Sequence, residues 1–428
     1  MKPKPYPEYK DSGVEWIGDI PDDWETHRFK INFKYIKGKI PENLQEEARD
    51  NSLPYLSMDF LRGKESETLY SETDPKAVKI EKGDILLLWD GSNAGEFLEG
   101  KQGYLSSTMV KLLIKNIDPE FSKYICKSFE PLLRDLTIGM GIPHVNGDIL
   151  GNIRITHPTF QEQKKIVSFL DKKTSEIDLT IEKDTRLIEL LQEKRTALIN
   201  HVVTKGLDPE APMKDSGVEW IGEIPEEWEL KKLKLISKIV LGKMLTPSDK
   251  GSYHLKPYLR AQNILWEKVS TDEIKEMWFS KNELKTYRLQ KYDLLVSEGG
   301  EVGRTAIWKD ELDECYIQNS VHKVSLNPGN NPKYFLYAFQ ACGNSDFFSA
   351  IVNRVSIAHL TREKLKEISF PVPNKLEQEK IVNFLDSNIK KIDQIISKIQ
   401  ENIQLLEEYK KSLIHHVVTG KVYVIKED

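Results

Sequence analysis

Cysteine is scarce in this 428-residue chain: Cys126, Cys315 and Cys342 are odd in number and stand in no CxxC spacing. Their scarcity argues against a disulfide framework or a thiolate zinc site and suits a reducing cytoplasm, where the chain is expected. Long apolar runs are missing too. Runs such as Ile85 to Trp89 are far short of the roughly 20 residues a membrane helix needs. Met1 to Pro7 has no apolar stretch of the kind a secretory signal carries. Nor is there a basic excess: 62 Lys and Arg face 67 Asp and Glu, a net charge of −5. Bulk charge therefore gives no hold on nucleic acid, and only local patches could supply one. What remains is 39% hydrophobic, 9% aromatic and 30% charged, the balance of a folded chain of about two to four domains.

The chain is written twice. Lys10 to Trp24 reads KDSGVEWIGDIPDDW and Lys214 to Trp228 reads KDSGVEWIGEIPEEW, with 12 of 15 positions identical and three Asp/Glu exchanges. Glu162–Thr204 aligns without a gap on Glu377–Thr419, about half of the positions being identical, and both end in His-Val-Val-Thr. The stretch between these bookends has diverged, but echoes survive. Pro54-Tyr55-Leu56 answers Pro257-Tyr258-Leu259, and Asp84-Ile85-Leu86 answers Asp293-Leu294-Leu295, each followed by a turn bearing glycines (Gly91 and Gly95; Gly299 and Gly303). Ile142-Pro143-His144-Val145 answers Ile357-Ala358-His359-Leu360, before a strand expected to end at Pro158 or Pro371. Short apolar runs bounded by Gly, Asn and Pro predict one mixed α/β fold used twice with different surfaces.

The repeated 43-residue segment predicts a long helix in each half. Thr159-x-x-Glu162 and Asn374-x-x-Glu377 are capping-box patterns, and glycine returns only at Gly206 and Gly420, where a C-cap is expected. Apolar residues recur every 3.5 residues on average. One seam is Ile177, Ile181, Asp184, Ile188, Leu191, Arg195, Leu198 and Val202; the other is Ile392, Ile396, Ile399, Ile403, Leu406, Lys410, Leu413 and Val417. The shared basic interruption, Arg195 and Lys410, favours one helix pairing with the other as an antiparallel coiled coil, rather than two helices each lying on its own domain. A helix of this length would be a rod of roughly 65–70 Å, equivalent to about 20 base pairs of duplex. Two globular units alternating with such spacers, related by a pseudo-twofold, suit a reader of two separated half-sites.

These residues carry a resemblance. DSGVEWIGxIPxxW at the head of each half, and the strand–Pro–EQxKIVxFLD entry into a helix ending in HVVT, resemble the specificity subunit of type I restriction–modification systems. The resemblance covers essentially the whole chain. It implies an α+β chain with a target-recognition domain at 1–158, a conserved helix at 159–206, a second recognition domain at 207–373, a second helix at 374–420 and a tail at 421–428. It further implies a non-catalytic subunit: each recognition domain reads half of a bipartite double-stranded DNA target, and the helices set the gap. Two methyltransferase subunits would dock on those helices, and motor-nuclease subunits would join the larger complex. S-adenosylmethionine, ATP and Mg²⁺ would then belong to those partners.

The residues agree with a subunit that leaves this chemistry to its partners. No GxxxxGK[ST] occurs, and neither Asn327-Pro328-Gly329 nor Asn331-Pro332-Lys333 is the Asn-Pro-Pro-aromatic run of an adenine methyltransferase. Gly299-Gly300-Glu301-Val302-Gly303 reads as a strand turn rather than a cofactor loop, and His415-His416 as a helix end rather than a metal pair. Asp84 with Glu99-Gly100-Lys101 satisfies a loose Mg²⁺-nuclease pattern, but the second half has no counterpart, so a solvated hairpin is favoured. Two alternatives therefore stay open: a nuclease through Asp84, Glu99 and Lys101, and a coiled-coil scaffold that binds no DNA.

Charge differs between the inserts. Glu229–Pro373 holds 22 Lys/Arg against 17 Asp/Glu, a net of +5, whereas Glu25–Pro158 holds 18 against 20, a net of −2. Phosphates call for Lys and Arg, and purine edges for Arg, Asn or Gln. In the first unit the loop-like candidates are Lys37, Lys39, Arg62, Asn93, Lys101, Gln102 and Asn146. In the second they are Arg260, Gln262, Asn263, Arg304, Gln318, Asn319 and Arg354. Trp16, Trp24, Trp220 and Trp228 are expected to pack rather than stack on bases. Aromatics identical in both halves cannot distinguish two different half-sites.

Overall fold

The first eleven residues of each repeat build a hairpin by local polar chemistry. The Asp11 carboxylate accepts the Gly13 amide (2.8 Å) and Asp215 that of Gly217 (2.9 Å). Gly13, Gly18, Gly217 and Gly222 all take φ near +67°, a left-handed backbone that favours glycine. Tyr9–Asp11 then pairs antiparallel with Asp19–Pro21, and Met213–Asp215 with Glu223–Pro225. Much of the near-identity of the two motifs is thus a folding requirement: Asp11, Ser12, Asp215 and Ser216 close turns, and Ile17, Ile20, Trp24, Ile221, Ile224 and Trp228 enter cores.

The computed structural model describes residues 5–63, 68–72, 74–139, 141–345, 347–348 and 359–424. The chain divides into two units, one of residues 1–184 with 401–428 and the other of residues 185–400. Each helix predicted from the sequence is continuous, spanning Phe160–Lys205 and Lys375–Val418, and each contributes one part to each unit. The helices are therefore not domains by themselves.

The first unit contains a four-stranded antiparallel sheet in the order Phe33–Lys37, Met109–Ile114, Ile85–Leu88, Phe97–Glu99. Ile85 to Leu88 are all buried, as expected of a strand covered on both faces. A second sheet includes a parallel pairing of Tyr55 with Tyr104. The second unit repeats the plan. Ser237–Leu241, Val321–Leu326, Leu294–Ser297 and Thr305–Ile307 stand in the same order, and Tyr258 pairs in parallel with Tyr316. The weak PYL and D-hydrophobic echoes thus fall on equivalent strands. The strand expected to end at Pro371 runs one residue further, Ser369–Val372, and Pro373 is the residue that leads into the helix.

Both long helices start in the same way. Gln163 donates to the Pro158 carbonyl (2.8 Å) and accepts the Asp118 amide (2.7 Å); Gln378 does the same with Pro373 (2.9 Å) and Asn331 (2.8 Å). Asp118 and Asn331 in turn cap helices Pro119–Asp135 and Pro332–Asn344. The Asn331-Pro332 run is therefore a helix start. The reciprocal half of the first capping box is not made, because Glu162 accepts instead from the Tyr6 hydroxyl (2.7 Å) and Trp24 Nε1 (3.0 Å). At the other ends Gly206 and Gly420 both adopt φ +76°, the C-cap conformation predicted.

From Asp178 to Arg195 and from Asp393 to Ser412, only the predicted seam positions are shielded from solvent. In the first unit Lys410 Nζ donates to both oxygens of Asp178 (2.6 Å each) and Asn402 to Asp184 (2.9 Å). One number rises as the other falls, so the helices run antiparallel. In the second unit Arg195 lies 3.4 Å from Asp393. Arg195 and Lys410 hold equivalent places in the repeat, as do Asp178 and Asp393. Each basic interruption thus meets the same aspartate of the other copy.

Candidate nucleic-acid interface

In the second unit three loops converge at the ends of adjoining strands. The Ala261 amide donates to Ser320 Oγ (3.0 Å), which donates to Gln318 (2.7 Å), and the Glu298 amide donates to the Ser320 carbonyl (2.9 Å). The predicted residues Arg260, Gln262, Gln318, Asn319 and Arg304 are thereby brought to one surface. Lys243 joins them through its carbonyl, which accepts the Asn319 amide (2.9 Å). Arg260 donates to the Glu273 carbonyl (3.0 Å), and Arg304 stands 3.5 Å from Glu301. The Nε of each arginine is buried with no hydrogen-bond partner among the described residues. A buried Nε is closed to a ligand, so contact with a phosphate or guanine edge falls to the outer nitrogens of each guanidinium. Burial pushes the Glu298 carboxyl up, against the opposing charge of His359.

Two predicted residues of this unit have other duties or positions. Asn263 is buried, accepts the Arg260 amide (3.0 Å) and donates to the Ser270 carbonyl (3.1 Å), so it holds the loop's shape. Arg354 lies outside the described residues. Lys243, which sequence reasoning passed over, is itself buried and paired with Glu283 (2.6 Å).

The first unit places its counterpart loops alike but spends its polar groups internally. Lys37 pairs with Asp90 (3.0 Å), Arg62 with Glu96 (2.8 Å), and Asn93 accepts from Arg134 (3.4 Å). Lys101 donates to the Phe60 carbonyl (3.1 Å) and lies over that ring. Asn146, a predicted reader, caps helix Gly147–Asn152 by accepting the Asp148 and Ile149 amides through its Oδ1. Lys39 and Gln102 are exposed. Apolar residues at these loops, Ile40 and Ile142 among them, were missed. The repeat carried a signal for the first, since Gly38-Lys39-Ile40 and Gly242-Lys243-Met244 share the offset of the joint motifs. Gly38 and Gly242 both press on backbone, of Ser106 and Gln318, where no Cβ would fit.

The nuclease pattern does not assemble. Asp84 is taken up by Lys111 (2.6 Å) and the Glu81 amide (2.8 Å), Glu99 faces Lys123 (3.8 Å), and Lys101 turns to Phe60. Trp24 and Trp228 are buried, as expected of packing residues. Trp16 lies against Phe129 and His415, and Trp220 against Phe347 and Phe370. His415 is thus an aromatic neighbour at a helix end, and burial lowers its pKa below the ordinary histidine value.

A sequence model described as "Type I restriction modification DNA specificity domain" matches residues 21–191 and 225–405, one match in each half. The chain belongs to this family. It is 32% identical over 423 residues to the type I restriction enzyme MjaVIII specificity subunit of Methanocaldococcus jannaschii, spanning 95% of this chain and 94% of the relative. Among solved structures, a chain from work on complex assembly and conformational transition of the type I R-M system superposes with a TM-score of 0.69. That match is 14% identical and covers 94% of this chain and 99% of the other. The HsdS subunit of Thermoanaerobacter tengcongensis gives a TM-score of 0.53 at 14% identity, covering 94% and 98%. At those identities the structures speak for the fold, and the sequence match for the family. A type I specificity subunit with two DNA-recognition domains is what the doubled loop clusters describe. No helix among the described residues is long and apolar enough to cross a membrane.

Proposed function

We propose that this specificity subunit is non-catalytic and that each recognition domain reads one half of a bipartite double-stranded target. The observation that carries the reading is the contrast within one chain. The strand order of the four-stranded antiparallel sheet, the joints and the seam are the same in both halves, while the side chains at the converging loops differ. A preserved frame with exchanged loop chemistry fits two different sequences read in one manner. The long helices then set the gap between half-sites and dock two methyltransferase subunits, with motor-nuclease subunits joining the complex. S-adenosylmethionine, ATP and Mg²⁺ belong to those partners in this scheme. Cys126, Cys315 and Cys342 are free and buried, which supports the cytoplasm as the site of action.

The test is methylome sequencing of a host expressing this chain with its methyltransferase partner. A bipartite motif is expected, and exchanging residues 25–158 for those of another family member should alter one half only. Adding seven residues to each long helix, which preserves the seam repeat, should alter only the gap. A single uninterrupted motif, or methylation by this chain alone, would overturn the reading. Loss of all sequence preference, with partners bound, would favour the scaffold instead.

A further inference from the structure

The first recognition domain poses a physical question. Its residues 25–158 carry a net charge of −2, and most of its predicted polar readers are occupied. Lys37, Arg62 and Asn93 have internal partners, Lys101 lies on Phe60, and Asn146 caps a helix. Beside the exposed Lys39 and Gln102, this domain offers apolar side chains to solvent. Ile142 is 71% exposed, Ile40 61%, Tyr35 44% and Ile138 42%.

These side chains belong to one continuous surface. The Tyr35 ring lies 4.7 Å from Trp89, and Lys37, two residues on, pairs with Asp90. Asp90 and Ile138 both form antiparallel bridges with His144, and Ile142 lies in the turn between Ile138 and His144. Ile40 follows Lys37 through Gly38, whose amide donates to the Met109 carbonyl (2.9 Å). The exposed Lys39 sits beside Ile40, a phosphate contact next to an apolar one. The equivalent place in the second domain also carries a bare apolar chain, Met244, 74% exposed. A large apolar side chain in water, at the same point of two diverged domains, is a contact waiting for a partner.

On the edges of the base pairs in the major groove, thymine's C5-methyl is the apolar group. We propose that the first recognition domain reads thymine in its half-site through that methyl, with Ile142 and Ile40 as the contacting side chains. The inference rests on the bipartite DNA-reading assignment above. Specificity there comes from matching a methyl with isoleucine, while Lys39 supplies the phosphate contact that a near-neutral domain otherwise lacks.

The experiment uses the full chain with its methyltransferase partner and a duplex bearing the mapped target. Each thymine of the half-site assigned to residues 25–158 is replaced by deoxyuridine, which removes the methyl and keeps every hydrogen bond. At a contacted position affinity should fall about fourfold, the worth of one buried CH₂-sized group. Ile142→Ala should weaken binding to the thymine duplex and bring the thymine and deoxyuridine duplexes within about twofold of each other at that position. An unchanged melting temperature for this exposed-site variant separates contact from folding. Uniform indifference to deoxyuridine across that half, or a half-site without thymine, would overturn the proposal while leaving bipartite reading intact. Absence of any preference for the target over a scrambled duplex would instead sink the DNA-reading assignment, and this proposal with it.

Discussion

Replacing Gly420 by alanine separates the order of residues along the chain from their membership of a folded unit. Gly420 sits at φ +76°, where an L side chain costs about 1–2 kcal/mol. Its added Cβ would stand 2.3 Å from Pro21 Cδ, 2.7 Å from Pro21 Cγ and 3.2 Å from Trp24 Cζ3. Trp24 is buried and tied to Glu162, so it cannot step aside, and overpacking of this kind adds about 1–3 kcal/mol. The lower entropy of the unfolded alanine chain offsets about 0.4–1 kcal/mol. A net loss of about 2–4 kcal/mol follows for the first unit. Gly206 has the same φ, but its added Cβ would meet nothing nearer than Trp228 Cζ2 at 3.2 Å. Gly206→Ala should therefore cost only about 1 kcal/mol, and in the second unit.

Hydrogen-exchange mass spectrometry in mild urea reads both variants peptide by peptide. Gly420→Ala should speed exchange in the sheet formed by Phe33–Lys37, Met109–Ile114 and Ile85–Leu88, more than 300 residues away in the chain, and leave Leu294–Ser297 protected. Gly206→Ala should do the reverse, more weakly. Equal losses, or a Gly420→Ala effect confined to residues 185–400, would refute the assignment of the chain's last helical turn to the first unit.

His322 supplies a pH prediction. The ring is fully buried, Nε2–H donates to the Leu360 carbonyl (2.7 Å), and Nδ1 has no partner among the described residues. Burial pushes its pKa from 6.5 down to about 4. Between those values the unfolded state binds the proton and the folded state does not, so stability is full above pH 6.5 and falls on acidification. The loss approaches about 3 kcal/mol near pH 4. Urea midpoints of the second unit at pH 7 and pH 5 check it, and His322→Gln, which can keep the donated bond, should flatten that slope. The Lys410–Asp178 pair is half exposed, so Lys410→Glu should destabilise the helix pair by only about 1 kcal/mol at low salt and less in 1 M salt. Asp178→Lys in the same chain should restore stability, and a salt-independent loss without rescue would show that packing, not charge, is at stake.

The repeat made much of the fold legible. Two copies of one joint, two capped helices and two seams could be aligned on each other, so periodicity and capping chemistry were each observed twice. Gly206 and Gly420 were predictable as C-caps because no other glycine or proline interrupts either helix. The site was less legible for a physical reason. Asn146 and Asn263 look like base readers in a sequence because the same amide that reads adenine also caps a helix or closes a loop. Only the position of neighbouring amides decides between these uses. Ile40 and Ile142 failed to stand out because isoleucine is ordinarily a core residue, and exposure is a property of the finished surface.

By itself the sequence determined what local chemistry and periodicity encode: the family, the repeat, the helices with their seams and caps, and the equivalence of the two inserts. Tertiary structure alone decided which segments share a core. The end of the second helix and Val424 complete the first unit, because burial joins surfaces by proximity without regard to chain order. It also decided that Lys37, Arg62 and Asn93 find partners inside the first unit while Ile40 and Ile142 stand exposed, because neither pairing nor exposure is written in the local sequence.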